Sequence, residues 1–307
     1  MSSTARARIL IIGGSGFVSG TVARTAVAKG HQVWAVTRGT RPLPNGVRGL
    51  LADRHDTDTL ARVTSQASGG QPWDLVVDCQ AFEAADTRQD VQVFKEQARQ
   101  LVFISSDFVF DPAHRTFPQP EEAEHYLKGL YGGKKRECEL ELLHGDTGNM
   151  RWTIVRPCHI YGPGSLLGCL PRHGRDPQLL ERLRKGEPLQ LVGGGYFLQQ
   201  PIFAAELAEI ILSAMGNEAA FGEIFCTAGP EIIESRRYYA IIAEMLGVEL
   251  KVDELPVDAY RINHPDEISF LCHRIYSLEK LRTHGLYVPS LPMAEGLRMH
   301  VQSLLQA

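Results

Sequence analysis

Tyr131 and Lys135 stand four residues apart in LYGGKKRECELELL, a stretch read as helix, so both side chains share one helix face. A phenol with an ordinary pKa of about 10 exchanges protons poorly at neutral pH. A lysine ammonium beside it favours the phenolate and lowers that pKa. Upstream, the apolar run Leu101-Val-Phe-Ile104 ends in Ser105-Ser106-Asp107. The Ser106 hydroxyl can hold a reacting oxygen. Phenol, ammonium and hydroxyl form an apparatus for moving a proton while a cofactor moves a hydride. Spacing alone is weak evidence, because Tyr276 and Lys280 repeat it. That later pair follows no strand ending in serines and is read as surface helix. Gly132 and Gly133 cost about 1 kcal/mol each against Ala within a helix. They imply either a close backbone approach or a mobile helix start.

A second constellation opens the chain. Ile9-Leu-Ile-Ile12 suits a buried parallel strand, and Gly13, Gly14 and Gly16 follow it directly, ahead of a helix from Phe17 to Gly30. Such a corner lets the backbone approach a pyrophosphate, whose charge the helix N-terminus favours. A third glycine at this spacing would fall at Ser19, a small residue with Gly20 beside it. The second strand, His31 to Thr37, ends at Thr37-Arg-Gly-Thr-Arg41 without an acid. An Arg there accommodates the 2′-phosphate of NADP where an acid would take the ribose hydroxyls of NAD, so Arg38 favours NADP and leaves NAD as the alternative. Asp53 and Arg54 close a third strand, Gly49–Asp53, at the end where such sheets bind ligands. The fourth strand, Asp74–Asp78, leads into Cys79, Gln80 and Ala81, beside the nicotinamide half of the cofactor.

These sites need elements to carry them. Short apolar runs alternate with helices at Thr57–Ala67 and Asp86–Arg99, the signature of an α/β fold with a doubly wound parallel sheet, a Rossmann domain. Residues 1–160 and about 201–229 are assigned to it. A smaller, discontinuous α+β substrate lobe takes 161–200 and 230–307, including a strand at Glu249–Val252. Arg172, His173 and Arg175 form a basic cluster there, suited to an anionic substrate.

Composition narrows the class. The 307 residues are 44% hydrophobic and 22% charged, ordinary for a globular protein. Net charge is −4, so no basic field argues for nucleic acid. No apolar run approaches the ~18 residues of a membrane span, and the polar start MSSTARAR is unlike a signal peptide. Six scattered cysteines read as reduced thiols of a cytoplasmic enzyme, and eleven histidines in no ligand pattern predict no metal.

With GGSGFV, ISSDFVF, Tyr131/Lys135 and Val155-Arg-Pro-Cys-His-Ile-Tyr-Gly-Pro163 in view, the chain resembles an extended short-chain dehydrogenase/reductase of the NAD(P)-dependent epimerase/dehydratase group. The resemblance implies catalytic Ser106, Tyr131 and Lys135, with the last two also touching cofactor. It implies cofactor contacts at Gly13, Ser15, Gly16, Phe17, Val18 and Pro157. His159 takes the place of an Asn that faces substrate in relatives; packing of a loop is the alternative. Dehydratases of sugar nucleotides carry Thr-Asp-Glu where this chain has Ser106, Asp107 and Phe108, so the resemblance retains Asp107 as a candidate catalytic acid while dehydration loses its base. SSDFVFD is similar to the STDYVFDG of deoxysugar 4-keto reductases. Gln199 stands where relatives place an Arg for a diphosphate, and Arg274 is a candidate second phosphate contact. The expected function is 4-keto reduction of a sugar-nucleotide-like substrate in a homodimer. A sugar-nucleotide epimerase with retained NAD, and a non-catalytic cofactor-sensing or RNA-associated protein, are the alternatives.

Overall fold

Short apolar runs, each ended by glycine or a polar residue, build a seven-stranded parallel sheet in the computed structural model, which describes residues 6–306. The first residues of the polar start, 1–5, lie outside that range. The strands are β1 (Arg8–Ile12), β2 (Gln32–Thr37), β3 (Val47–Leu51), β4 (Leu75–Asp78), β5 (Gln100–Ile104), β6 (Arg151–Pro157) and the edge strand Glu223–Thr227. Across the sheet they run β3-β2-β1-β4-β5-β6 and then Glu223–Thr227. Strand order reverses beside β1, so the crevice beyond the ends of β1 and β4 is the ligand position of a doubly wound sheet.

β1 shows why the chain folds this way. Ile9 and Ile11 pack on one face of the sheet, Leu10 and Ile12 on the other, all essentially without solvent contact. Burying each such side chain stabilises the fold by roughly 1.5–3 kcal/mol. Helix α1 (Phe17–Ala28) and helix Ala204–Ser213 cover the first face. Helices α2 (Thr57–Ser68), α3 (Ala84–Phe94) and α4 (Leu130–His144) cover the second. Asp56 caps α2 by accepting from the Thr59 amide at 3.0 Å, and Gly69, at φ 63°, ends it. β3 lies two residues earlier than expected, which puts Asp53 and Arg54 beyond its end. α3 stops at Phe94, five residues short of the expected Arg99.

The remaining chain forms a second core around Tyr161, Tyr238, Tyr239 and Leu297. Two-stranded pairs tie it together: Ile160–Tyr161 with Ile202–Phe203, Leu198–Gln199 with Ile233–Glu234, and Leu189–Val192 with Val252–Leu255. The strand expected at Glu249–Val252 therefore lies three residues later. Tyr276 and Lys280 are not a surface helix. Tyr276 is 3% exposed, sits in irregular chain before the short helix Glu279–Thr283, and packs with Leu281 and Leu286 on the first face of the large sheet. Four-residue spacing reports a shared helix face, and is silent on which long-range surface covers it. Among the described residues no helix is long and apolar enough to cross a membrane.

Candidate active site

Steric demand makes the glycine corner specific. Gly13 (φ 113°) and Gly14 (φ 93°) hold backbone that L side chains rarely adopt, and a Cβ on Gly14 would lie 2.4 Å from that of Ala35. Ser19, in the place of a third glycine, is buried and accepts the Gly16 amide at 3.1 Å. Beyond the corner opens a cavity of about 580 Å³, walled by Gly13, Ser15, Gly16, Arg38, Asp53 and Gln80 among others. Its bare backbone, the start of α1 and the basic Arg38 and Arg41 suit the pyrophosphate and phosphate groups of a dinucleotide. Phe17, Val18, Cys79, Ala81, Tyr131, Lys135 and Pro157 lie outside that wall.

Arg54 also lines the cavity, yet its guanidinium is committed elsewhere. It reaches Asp78 at 2.9 Å, Asp90 at 3.0 Å and Asp86 at 3.7 Å. A cofactor would meet three acids competing for it, so Arg54 shapes the cavity floor and is not a free cation. Burial, together with the Asp78 charge, pushes the Asp90 carboxyl well above the usual range. For Asp78, burial is outweighed by the hydrogen bond with Asp90 and by Arg54, and its pKa falls. The two acids are thus pushed in opposite directions, Asp90 toward the neutral form and Asp78 toward the charged one.

The reaction corner is built where β5 hands over to α4. Ser105 donates to Glu139 at 2.6 Å, and Arg156 clamps the same carboxylate at 2.7 Å through two nitrogens, fastening α4 against β5 and β6. Gly132 and Gly133 are required by close approach: a Cβ on Gly132 would lie 1.8 Å from the Phe108 carbonyl oxygen. α4 starts at Leu130, so Tyr131 stands in the first helical turn, where unpaired amides and the dipole favour an anion. Its ring packs between Phe82 and Phe108, at centroid distances of 6.4 and 6.0 Å.

The electrostatics differ from expectation. Desolvation raises the Tyr131 pKa, which the Ser106 hydroxyl and the Arg175 charge pull back. Lys135 does not supply the expected lowering. Its ammonium is buried and donates to the carbonyls of Ala81 (2.7 Å) and Ile104 (2.6 Å), and burial lowers its own pKa. Ser106 is 6% exposed and accepts the Phe108 amide at 3.2 Å.

Asp107 is not a free acid. Tyr276 donates to its Oδ2 at 2.7 Å, and Arg274 and Arg115 approach at 3.6 and 3.9 Å. Arg274 lies over the Phe108 ring at 4.1 Å, close to the reaction corner. His159 stands edge-on to Tyr238 at 6.2 Å, and burial with the charges of Arg175 and Arg274 lowers its pKa to about 4, keeping it neutral. Gln199 is buried, with its amide donating weakly to the Cys272 carbonyl at 3.4 Å. Arg172 is exposed at φ 82°, and its charge acts on His173 and Tyr260; Arg175 is the member of the basic cluster whose charge reaches Tyr131 and His159. Arg115, Tyr276, Phe82 and the Glu139–Arg156 clamp escaped the sequence reading. Only the repeated Tyr-x-x-x-Lys spacing had marked one of them.

Comparison with known proteins bears on the family and the fold. The sequence model of the NAD dependent epimerase/dehydratase family matches residues 9–226. The chloroplast stem-loop binding protein of 41 kDa b of Arabidopsis thaliana is 28% identical over 76% of this chain, which spans only 61% of that relative's length. The 2'-dehydrokanamycin reductase of Streptomyces kanamyceticus is 26% identical over 82% of this chain and 70% of its own. A UDP-glucose 4-epimerase from Thermotoga maritima, solved with UDP-glucose, shares the fold at a TM-score of 0.78, with 19% identity, 97% of this chain covered and 98% of that one. A glycine corner at the switch point of the sheet, a serine-ended β5 and a Tyr-x-x-x-Lys helix thus coincide with a family match over most of the chain: it belongs to the NAD dependent epimerase/dehydratase family and is an NAD(P)-dependent short-chain dehydrogenase/reductase.

Proposed function

We propose that this enzyme reduces a keto carbon of a sugar-nucleotide-like substrate, with NADPH favoured over NADH. Placement of Tyr131 in the first turn of α4, with Ser106 acting on its phenol, carries the reading. When bound, the nicotinamide supplies the hydride. Ser106 holds the carbonyl oxygen, Tyr131 delivers the proton to it, and Lys135 anchors the loop after β4 through the Ala81 carbonyl. Arg38 and Arg41 on the cavity wall favour the extra phosphate of NADPH. Asp107, paired with two guanidiniums, has no part in proton transfer.

The 4-keto position follows from the similarity of SSDFVFD to keto reductases, and reduction suits the name of the kanamycin-pathway relative. The substrate lobe is formed by 161–200 and much of 230–307, and the enzyme works as a cytoplasmic homodimer. An epimerase would use the same Tyr131 and Lys135 and differ only in keeping its ketone until hydride returns. The stem-loop binding relative favours a second reading, RNA association, which the −4 charge opposes.

One experiment separates these. Titration with NADPH and with NADH, followed by turnover of wild type and Tyr131→Phe, should show tighter NADPH binding in both proteins. Turnover in the variant should fall by about 10²–10⁴-fold. Equal turnover removes the mechanism; tighter NADH binding removes the role of Arg38 and shifts the balance to an epimerase.

A further inference from the structure

One phenyl ring joins the cofactor cavity to the reaction corner. Among the described residues, Phe82 is the one phenylalanine, tyrosine or tryptophan on the cavity wall, and its ring stands 6.4 Å from that of Tyr131, centroid to centroid. The Lys135 ammonium lies 5.4 Å from the same ring centroid. Tyr131 and Lys135 are themselves outside the wall, so Phe82 is the surface that the cavity presents toward them.

The backbone that carries this ring is fixed on both sides. Just before it, the Ala81 carbonyl accepts the Lys135 ammonium at 2.7 Å. The amides of Phe82 and Glu83 both donate to Asp86 Oδ2, at 2.9 and 3.1 Å. Glu83 pairs with Lys134 at 2.7 Å, which ties the segment to α4. Yet the Phe82 side chain belongs to no buried cluster and is 47% exposed. Part of its surface is spent on Tyr131 and Lys135, and the rest is bare on a rigid mount. An aromatic ring held in that way offers a large apolar contact at little cost in ordering.

Proton and hydride must meet at one carbonyl group, the Tyr131 hydroxyl at its oxygen and the nicotinamide at its carbon. The reaction therefore requires the nicotinamide beside Tyr131, and the part of the cavity wall that touches Tyr131 is Phe82. We propose that Phe82 is a cofactor-contacting residue, whose exposed face packs against the nicotinamide ring and holds it beside Tyr131. This rests on nicotinamide dependence alone and applies to reduction and epimerisation alike. It also gives the buried Lys135 ammonium a task, since its bond to the Ala81 carbonyl mounts the ring.

The full-length protein is titrated calorimetrically with two matched pairs, NADPH against 2′-phospho-ADP-ribose and NADH against ADP-ribose. The members of each pair differ in the nicotinamide ring. For the cofactor that wild type binds more tightly, Phe82→Ala should weaken binding roughly tenfold, while the partner without the ring changes by less than about twofold. Phe82→Tyr keeps an aromatic ring and should bind as wild type does. Phe82→Leu, which keeps apolar bulk without a ring, should fall between the two and guards against an Ala variant that folds poorly. The proposal is overturned if Phe82→Ala weakens both members of the pair equally, if it weakens neither, or if it binds the nicotinamide cofactor more tightly, as removal of a lid would. Failure of the reductase reading appears separately, as full turnover in Tyr131→Phe.

Discussion

At the ends of neighbouring strands β4 and β5 the chain buries two ionic clusters of opposite imbalance. Below the cofactor cavity, Arg54 faces Asp78, Asp86 and Asp90, one cation among three acids. Beside the reacting phenol, Asp107 faces Arg115 and Arg274, one acid between two cations. The first cluster can relieve itself by binding a proton, since burial and the Asp78 charge push the Asp90 carboxyl well above its usual range. The second has no such outlet. An excess of buried acid is solved by the solvent's protons, whereas an excess of buried arginine persists until another anion arrives. That difference separates a cluster that protons can neutralise from one that they cannot.

Three substitutions press on the contrast. The largest effect is expected for Asp107→Asn, which strands two guanidiniums and should destabilise the protein by about 3–5 kcal/mol in urea unfolding. Because arginine does not titrate, that loss should be the same at pH 5.5 and pH 8. A loss that shrinks at low pH would show that another acid serves the cluster.

Arg54→Met is expected to cost about 3 kcal/mol at pH 8. Here the loss should shrink at pH 5.5. Without the cation, the folded-state pKa values of Asp78, Asp86 and Asp90 rise above their unfolded values. Their contribution is then present at low pH and lost as pH climbs through the raised values. Equal loss at both pH values would mean that Arg54 acts through packing alone.

Asp90→Asn is the mildest, under about 1 kcal/mol at neutral pH, since the amide replaces a carboxyl that burial and the Asp78 charge push toward its neutral form. In wild type the raised Asp90 pKa makes stability fall as pH rises from about 4, its unfolded value, toward the folded one. The variant should lack that slope. A large loss at neutral pH would place an ionised Asp90 in the folded protein.

Much of the cofactor half was legible in the residue order. Ile9 to Gly16 announces a buried strand and a turn that tolerates no side chain, and both demands are local. Gly132 and Gly133 were ambiguous for the same reason: a neighbour two dozen residues away, the Phe108 carbonyl, settles which of two local explanations applies. Tyr276 was misplaced because its partner Asp107 is 169 residues distant and no periodicity encodes that meeting. Lys135 was assigned an effect on Tyr131 from helical spacing, while its flexible ammonium found a carbonyl of β5 and one in the loop after β4 instead.

By itself the sequence determined the alternation of strands and helices, the glycine corner and the presence of a Tyr-Lys helix after a serine-ended strand, because patterning, steric freedom and helical spacing act over a few residues. Tertiary structure alone decided which charges meet in the dry interior. Ion pairs are chosen by the packing of distant segments, and only that packing left Arg54 surrounded by acids and Arg274 without one of its own.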